Sequence, residues 1–268
     1  MLSEVRKNME LNLELCRTAA IQFGLPLQYV VKEFHVFNVL SQITAATAPS
    51  KDFVFKGGTA LNKAYFGKTQ RFSEDLDFDL DATGLASVRS FSRTLSEKIS
   101  GYETGEFRRV GDTIQFSCGY DNLLGGRDHV RVDIAAKKAL TSRPLAIRPA
   151  TSEFTGRFVT GFYTYSVEDL VARKLHALCT RAEGKDFFDV HNGLPLCGVM
   201  EKALAKMLES EESPETPREF IRKTAKAVKK ADPSKLKNLT NPFIPTPVRP
   251  KDWGELKNDL VAKLEGME

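Results

Sequence analysis

Residues 71–81 read RFSEDLDFDLD, and acidic and apolar side chains alternate along this segment. A period of two matches a β-strand, in which successive side chains point to opposite faces of the sheet. The segment therefore predicts a strand with an apolar face of Leu76, Phe78 and Leu80 and an acidic face of Asp75, Asp77 and Asp79.

Two carboxylates on one face, those of Asp75 and Asp77, repel each other and lose hydration when their strand packs in a sheet. A divalent metal ion would neutralise them, and oxygens at this spacing suit a two-metal site for phosphoryl transfer. An acidic strand that faces solvent is the alternative interpretation, and the pair alone does not choose between the two.

A glycine turn precedes the acidic segment. The apolar residues 53–55 run into Lys56-Gly57-Gly58-Thr59, and apolar residues at helical spacing follow. This pattern predicts a buried strand, a tight turn and the start of a helix. Glycines let a backbone approach a phosphate closely, and a helix N-terminus offers unpaired N–H groups. We interpret Gly57, Gly58 and Thr59 as a triphosphate cradle, although a glycine pair is also compatible with an ordinary turn.

A third carboxylate lies on a later strand candidate. Residues 113–120 and 129–135 both alternate as strands do, after a predicted helix at about 84–100. In the second strand, Arg131 and Asp133 project from the face opposite to the apolar side chains. Asp133 would join Asp75 and Asp77 in a metal site.

The remaining pattern defines the fold class. The first 48 residues predict two amphipathic helices, and helical spacing dominates from about residue 166. We therefore predict an α+β fold, with a mixed β-sheet flanked by helices and a mainly helical C-terminal part. We place N-terminal helices that pack on the core at 1–50, the catalytic core at 51–160 and the helical domain at 161–268. The segments 209–217 and 241–250, rich in proline or in glutamate and serine, are predicted loops.

The first helix of the C-terminal part carries an inward-facing lysine. Ser166 followed by Asp169 predicts a helix start of the capping-box kind. On a helical wheel, Lys174 lies within the apolar stripe, which consists of Val167, Leu170, Val171, Leu175 and Leu178. A lysine in that position needs an anion beside it, either a buried carboxylate or the phosphate of a ligand.

The motifs KGGTAL at 56–61 and RFSEDLDF at 71–78 resemble the signature of the AbiEii/AbiGii nucleotidyltransferase toxin family. This family, which includes the MenT toxins of mycobacteria, belongs to the DNA polymerase beta-like superfamily. The resemblance implies a nucleotidyltransferase core in which the glycine turn is followed by Asp75 and Asp77 and by the later acid Asp133. Ser73, two positions before Asp75, would donate to a phosphate or lie near the metal, or else bond to backbone.

A second block resembles the same family. It runs from Ser166 through the predicted helix to Arg181 and the motif KDFFD at 185–189. In the family, a lysine of this helix and an aspartate of the following motif belong to the active site, which implies Lys174 and Asp186 here. Lys174 would neutralise NTP phosphates, and Asp186 would order that lysine or the incoming hydroxyl. Asp189 is the competing candidate.

The resemblance implies a toxin of a toxin–antitoxin pair that transfers a nucleotide from NTP with Mg²⁺ or Mn²⁺ as the metal. It further implies an RNA acceptor, with the 3′ end of tRNA as the expected site, and a separately encoded antitoxin. A protein or small-molecule hydroxyl is the alternative acceptor. The alternative of another class is a catalytically inactive nucleotide-binding partner module.

Charge and hydropathy bear on the partners and the location. The net charge is +4, and residues 218–237 carry eight Lys or Arg against two acids. This basic segment favours contact with RNA phosphates, although it would also suit a solvated face. The first residues carry charges where a signal peptide needs an apolar core, and no apolar run reaches the roughly 20 residues that span a bilayer. We therefore expect a cytoplasmic protein without membrane association.

Overall fold

The computed structural model describes residues 11–267. Residues 1–10, which carry much of the charge that argues against a signal peptide, lie outside the described residues. The helices are α1 (Leu13–Phe23), α2 (Leu27–Thr47), α3 (Gly57–Leu61), α4 (Leu85–Ser96), α5 (Val167–Arg181), α6 (Gly184–Gly193), α7 (Glu201–Ser210), α8 (Pro217–Lys229), α9 (Pro233–Thr240) and α10 (Trp253–Glu265). The strands are β1 (Phe53–Lys56), β2 (Leu76–Leu80), β3 (Glu103–Thr104), β4 (Arg108–Val110), β5 (Thr113–Asp121), β6 (Arg127–Ala136), β7 (Ala146–Ile147), β8 (Ala150–Thr151), β9 (Phe158–Val159) and β10 (Tyr163–Thr164).

The main sheet is mixed and has eight strands, in the order β3-β5-β6-β2-β1-β10-β7, with β4 also pairing with β5. The pairs β2–β6 and β1–β10 are parallel, and the other pairs are antiparallel. Strands β8 and β9 form a separate two-stranded sheet. The predicted α+β fold with a mixed sheet, followed by a mainly helical part, is confirmed.

Strand β2 places the acidic and apolar faces as the alternation predicts. Phe78 stacks on Phe53 with ring centroids 4.5 Å apart, and Phe91 of α4 completes the cluster. Helix α4 also packs on β5 and β6, so one side of the sheet is covered by helices and filled by apolar side chains. The acidic face is directed to the other side, where α3 contacts both β2 and α5.

The predicted strand over 71–81 is wrong in its first half, because β2 begins only at Leu76. The backbone N–H groups of Arg71 and Phe72, which precede β2, donate hydrogen bonds to residues outside the sheet. The backbone N–H of Phe72 donates to the carbonyl of Phe243 at 2.7 Å, and the N–H of Arg71 donates to Asn62 Oδ1 at 2.9 Å. Asp75 therefore lies in an irregular segment that packing against distant residues holds in place.

The helix after the glycine turn is short and changes its winding. Helix α3 continues directly into a π-helical turn, Asn62–Phe66. Lys63 in this turn is fully buried and forms an ion pair with Glu33 of α2. This pair ties the N-terminal helices to the glycine turn.

Helix α5 begins as the sequence predicts, and α8 begins with a cap that the sequence analysis did not predict. The Ser166 hydroxyl accepts from the backbone N–H of Asp169 at the start of α5. Thr216 and Glu219 form a complete capping box at α8, with Pro217 at the first helical position. Helix α5 packs against α6, α7 and α8, and this arrangement brings its polar residues to the open side of the sheet.

Candidate active site

A cleft of about 590 Å³ opens on the acidic face of the sheet, between the ends of β2 and β6 on one side and helices α5 and α6 on the other. Its lining includes eight of the predicted site residues, namely Gly57, Gly58, Thr59, Ser73, Asp75, Asp77, Asp133 and Lys174. The two competing candidates, Asp186 and Asp189, do not line the cleft but are buried against Lys174.

Asp77 and Asp133 lie side by side on adjacent strands. Parallel pairing of β2 with β6 sets these two residues directly opposite each other in register. The carboxylates therefore come from positions 56 residues apart in the chain, yet they project from the same face of the sheet. Asp79, also on that face, is buried and bonds instead to Lys56 Nζ and the Tyr165 hydroxyl, both at 2.5 Å.

One guanidinium joins Asp75 to Asp133. Arg131 Nη2 lies 2.5 Å from Asp75 Oδ2, and Arg131 Nε lies 3.5 Å from Asp133 Oδ2. Gln115 donates to the other oxygen of Asp133 at 2.9 Å. The three carboxylates thus form one group, and Arg131 supplies its counter-charge.

Negative charge is crowded in this group. Burial raises the pKa of Asp77 to about 6, and the charges of Asp133 and Asp75 contribute to the rise. Burial also raises the pKa of Asp75, although Arg131 opposes that shift. The raised pKa values of both aspartates show that the site favours an additional positive charge.

The glycine turn touches the carboxylates directly. Gly57 has φ of +78°, in the region that glycine tolerates, and a Cβ there would overlap the Asp77 carboxylate, coming within 2.8 Å of its Cγ. At Gly58 a Cβ would lie 3.0 Å from Arg71 Nη2 and 3.1 Å from Lys174 Nζ. The turn therefore leaves room for acidic and basic side chains to approach the backbone from both sides.

We expect Gly57→Ala to reduce nucleotide transfer by about 10²-fold or more, because the new methyl group displaces the Asp77 carboxylate and small displacements of reacting groups cost that much. Gly111→Ala is the matched control. Gly111 also has positive φ, +58°, but a Cβ there meets nothing within 4 Å. It should lose roughly 1–2 kcal/mol of stability through backbone strain and keep its transfer rate. Equal losses of transfer rate in both variants would rule out the contact with Asp77 as the cause.

Ser73 bonds to the glycine turn. Its Oγ lies 2.8 Å from Thr59 Oγ1, and the Thr59 hydroxyl donates to the carbonyl of Asp75 at 2.5 Å. Since the Thr59 proton is used there, the Ser73 hydroxyl is the donor to Thr59. These bonds link the turn to the segment that carries Asp75.

Lys174 lies between two buried carboxylates. Its Nζ is 3.0 Å from Asp186 Oδ1 and 2.9 Å from Asp189 Oδ2. The inward-facing lysine thus has the carboxylate partners that one interpretation of its helix position requires. Nζ also lies beside Gly58, where it could reach a phosphate at the glycine turn. The expected contact with NTP phosphates stays a prediction.

Asp186 and Asp189 differ in their other partners. Asp189 accepts from Arg71 Nε at 2.8 Å and from Nη2 at 2.6 Å, and both side chains are buried. Asp186 accepts from the half-exposed Arg181, at 2.7 and 2.9 Å. Burial by itself would raise the pKa of Asp189, but the charges of Arg71 and Lys174 outweigh it and hold that pKa below its usual value.

The sequence matches the family model described as nucleotidyl transferase AbiEii toxin, type IV toxin–antitoxin system, over residues 38–265. The chain belongs to the AbiEii nucleotidyltransferase toxin family. It is therefore a nucleotidyltransferase, and the family implies an NTP substrate and an antitoxin partner. The resemblance that the sequence motifs suggested is confirmed.

Solved structures share the fold of this AbiEii family member at low sequence identity. The nucleotidyltransferase toxin MenT4 of Mycobacterium tuberculosis H37Rv is 16% identical with a TM-score of 0.62, over 97% of this chain and 91% of that one. JHP933 from Helicobacter pylori is 19% identical with a TM-score of 0.53, over 91% and 93% of the two chains. A putative nucleotidyltransferase from H. pylori is 20% identical with a TM-score of 0.50, over 91% and 99%. No curated protein matches the sequence.

The AbiEii family usually uses a divalent metal, and the carboxylates here suit one. Carboxylate oxygens are the ligands that Mg²⁺ prefers, and it often takes only one or two of them together with substrate phosphates. Within residues 11–267, no group of three His, Cys, Asp or Glu side chains is arranged to hold a metal ion. The donor set thus fits a metal by its chemistry, and in this structure two of its carboxylates, Asp75 and Asp133, contact Arg131.

Some site residues of this AbiEii member escaped the sequence analysis. Arg71 and Arg131 were not named as site residues, although each lies on the alternating face of a predicted ligand, and Arg131 is two positions from Asp133. Lys185, the first residue of the motif at 185–189, lines the cleft, with Nζ 3.5 Å from the centre of the Phe243 ring. In the part of the chain that the structure describes, no helix is long and apolar enough to cross a membrane.

Proposed function

We propose that this chain transfers a nucleotide from an NTP to a hydroxyl of RNA, with Mg²⁺ or Mn²⁺ held by Asp75, Asp77 and Asp133. The observation that carries the proposal is the in-register pair of Asp77 and Asp133 beside the glycine turn. Cations line the same cleft as the carboxylates, the arrangement that a metal-bound triphosphate requires. They include Arg71, Arg131, Arg173, Lys174, Arg181 and Lys185.

Each group of residues in the cleft has a separate role in phosphoryl transfer. When bound, the metal supplies Lewis-acid stabilisation of the charge that develops on the phosphate oxygens. Gly57 and Gly58 allow the triphosphate to approach the backbone, and Lys174 neutralises its charge. Asp186 and Asp189 hold the Lys174 ammonium in place, so Asp186 acts through that lysine. Ser73 stabilises the segment that carries Asp75 and offers its oxygen to the cleft.

A basic surface next to the cleft supports RNA as the acceptor. Arg181 lines the cleft and also borders two neighbouring surface cavities. Their other basic lining residues are Lys185, Arg222, Lys223, Lys226, Lys230 and Lys235. A polyanion that follows this surface would reach the catalytic carboxylates, and no such surface is needed for a small hydroxylated acceptor. The 3′ end of tRNA is the acceptor that the family resemblance favours.

Charge reversal on α8 should weaken RNA binding. The triple variant changes Arg222, Lys226 and Lys230 to Glu, because these three residues line the two surface cavities. We expect RNA affinity to fall and the slope of log affinity against log salt to become shallower by about 0.7 per lost phosphate contact. NTP affinity should change little, because the triphosphate site lies in the cleft. Equilibrium binding at several salt concentrations measures both quantities.

The control for this variant reverses the same amount of charge elsewhere. Arg89, Arg93 and Lys98 are exposed on α4 and just beyond its end, where the apolar side of the sheet is covered. Their triple change to Glu should leave the salt dependence close to that of the wild type. Identical slopes for all three proteins would contradict an RNA path over α8.

The decisive experiment incubates the protein with each α-labelled NTP, Mg²⁺ and total RNA, followed by size separation of the labelled products. Labelled RNA in the tRNA range, which disappears with EDTA, is the expected result. Label found in protein or in small molecules would show that the acceptor belongs to that class and not to RNA. No transfer to any acceptor would support the inactive binding module.

The second partner is a separately encoded antitoxin that opposes the toxin. Expression of the chain alone should arrest growth of a bacterial host, and co-expression of its antitoxin should restore it. Growth arrest that persists after loss of the metal-site carboxylates would separate toxicity from nucleotide transfer.

A further inference from the structure

Arg131 holds two of the three carboxylates assigned to the metal. It reaches Asp75 Oδ2 at 2.5 Å and Asp133 Oδ2 at 3.5 Å. A guanidinium and a divalent cation cannot both neutralise the same carboxylate oxygens at full strength, since each requires the same lone pairs. The arginine and the metal therefore compete.

The side chain of Arg131 is placed to leave. It is 41% exposed, whereas the side chain of Arg71, which binds Asp189, is 3% exposed. Arg131 Nε is buried but has no hydrogen-bond partner among the described residues. A partly exposed guanidinium with an unsatisfied N–H loses little when it moves into solvent or toward another anion.

The strand geometry makes the contact reversible. Arg131 and Asp133 are two residues apart on β6 and share the acidic face, so only side-chain rotation separates the guanidinium from Asp75. Asp133 keeps its bond from Gln115 at 2.9 Å when the arginine leaves. The backbone of the site needs no rearrangement.

We propose that Arg131 is an internal counter-ion that neutralises Asp75 and Asp133 in the metal-free protein and is displaced when a divalent cation binds. This inference rests on the proposed function, because it takes the three carboxylates as the metal ligands. In the metal-free protein the arginine stabilises Asp75 and Asp133, and it lowers their affinity for the metal. It thereby raises the metal concentration at which the enzyme becomes loaded.

The test measures Mn²⁺ binding to the full chain without nucleotide or RNA, by the electron paramagnetic resonance signal of free Mn²⁺. Arg131→Gln should bind Mn²⁺ about fivefold or more tightly than the wild type, since a competing ion pair is lost. Arg131→Lys, which keeps the charge without the planar fork, should fall between the two. Lys137→Gln is the matched control, because Lys137 lines the same cleft but pairs with Glu211. It should change the affinity less than about twofold.

Thermal unfolding gives an independent readout. Without metal, Arg131→Gln should melt below the wild type, because Asp75 and Asp133 lose their counter-ion. Saturating Mn²⁺ should close or reverse that gap, since a ligand stabilises the folded state according to its affinity. An arginine with a purely structural contribution would lower the melting temperature equally in both conditions.

The outcomes separate this inference from the proposed function. Mn²⁺ binding of equal or lower affinity in Arg131→Gln overturns the counter-ion proposal and leaves the metal assignment standing. Absence of Mn²⁺ binding in the wild type and in all variants overturns both. Tighter binding together with a metal-dependent reversal of the melting temperatures supports the proposal.

Discussion

Asp77→Asn is expected to reduce nucleotide transfer by at least about 10³-fold, the scale seen when a group that stabilises transition-state charge is removed. Asp77 is the carboxylate closest to the glycine turn and is paired in register with Asp133. The amide keeps the shape of the side chain but removes its negative charge, so the divalent cation loses a ligand. Transfer of label from α-labelled NTP measures the rate, and growth arrest on expression is the cellular readout.

Asp81→Asn is the control for this change. Asp81 follows β2 by one residue, is exposed and lies 3.9 Å from Lys138. Its loss should leave transfer within about twofold of the wild type, as for most exposed substitutions. A transfer rate near that of the wild type in Asp77→Asn would refute the metal assignment. Cooperative thermal unfolding, with a midpoint no lower than that of the wild type, is needed to show that the variant is folded.

Asp189→Asn should cost about 3–5 kcal/mol of unfolding free energy, the scale for removing one partner of a buried ion pair. The carboxylate is fully buried and joins Arg71 to Lys174, with Asn62 as a further donor. Neutralisation leaves two buried cations without adequate compensation. Equilibrium unfolding in denaturant measures the difference.

Two further variants sharpen that prediction. Asp186→Asn should cost less, because its partner Arg181 is half-exposed and regains water. Asp259→Asn on α10, with an exposed side chain and partners His191 and Lys263, should stay within about 1 kcal/mol. Equal losses of unfolding free energy in Asp189→Asn and Asp186→Asn would show that the exposure of the partner arginine does not determine the cost.

The pH dependence of the Asp189 effect has a definite sign. The pKa of Asp189 in the folded protein lies below its ordinary value. Such a group stabilises the fold at pH values above the unfolded pKa, and this contribution is lost as the pH falls through the folded pKa. The stability difference between wild type and Asp189→Asn should therefore be constant near neutrality and shrink below about pH 4. Unfolding curves across that range test it.

The sequence-based predictions that agree with the structure rest on the spacing of residues that are close together in the chain. The alternation at 76–80 defines β2 and its two faces, and Ser166 with Asp169 marks the start of α5. These features depend on residues within a few positions of each other. The same reasoning extended the strand too far toward its N-terminus, because residues 71–75 alternate as a strand does but bond to partners elsewhere in the chain.

The sequence by itself determined which residues are candidates for the chemistry, because carboxylate spacing, the glycine pair and the helical stripe around Lys174 are local patterns. Only the tertiary structure decided how their charges are balanced. Asp189 meets Arg71 across 118 positions, and Arg131 meets Asp75 across 56. No periodicity relates such distant residues, since their contact depends on the parallel pairing of β2 with β6 and on the packing of α6 beside the turn after α3. For that reason, the motif could name Asp75, Asp77 and Asp133 as candidate metal ligands, but it could not show that Arg131 contacts two of them.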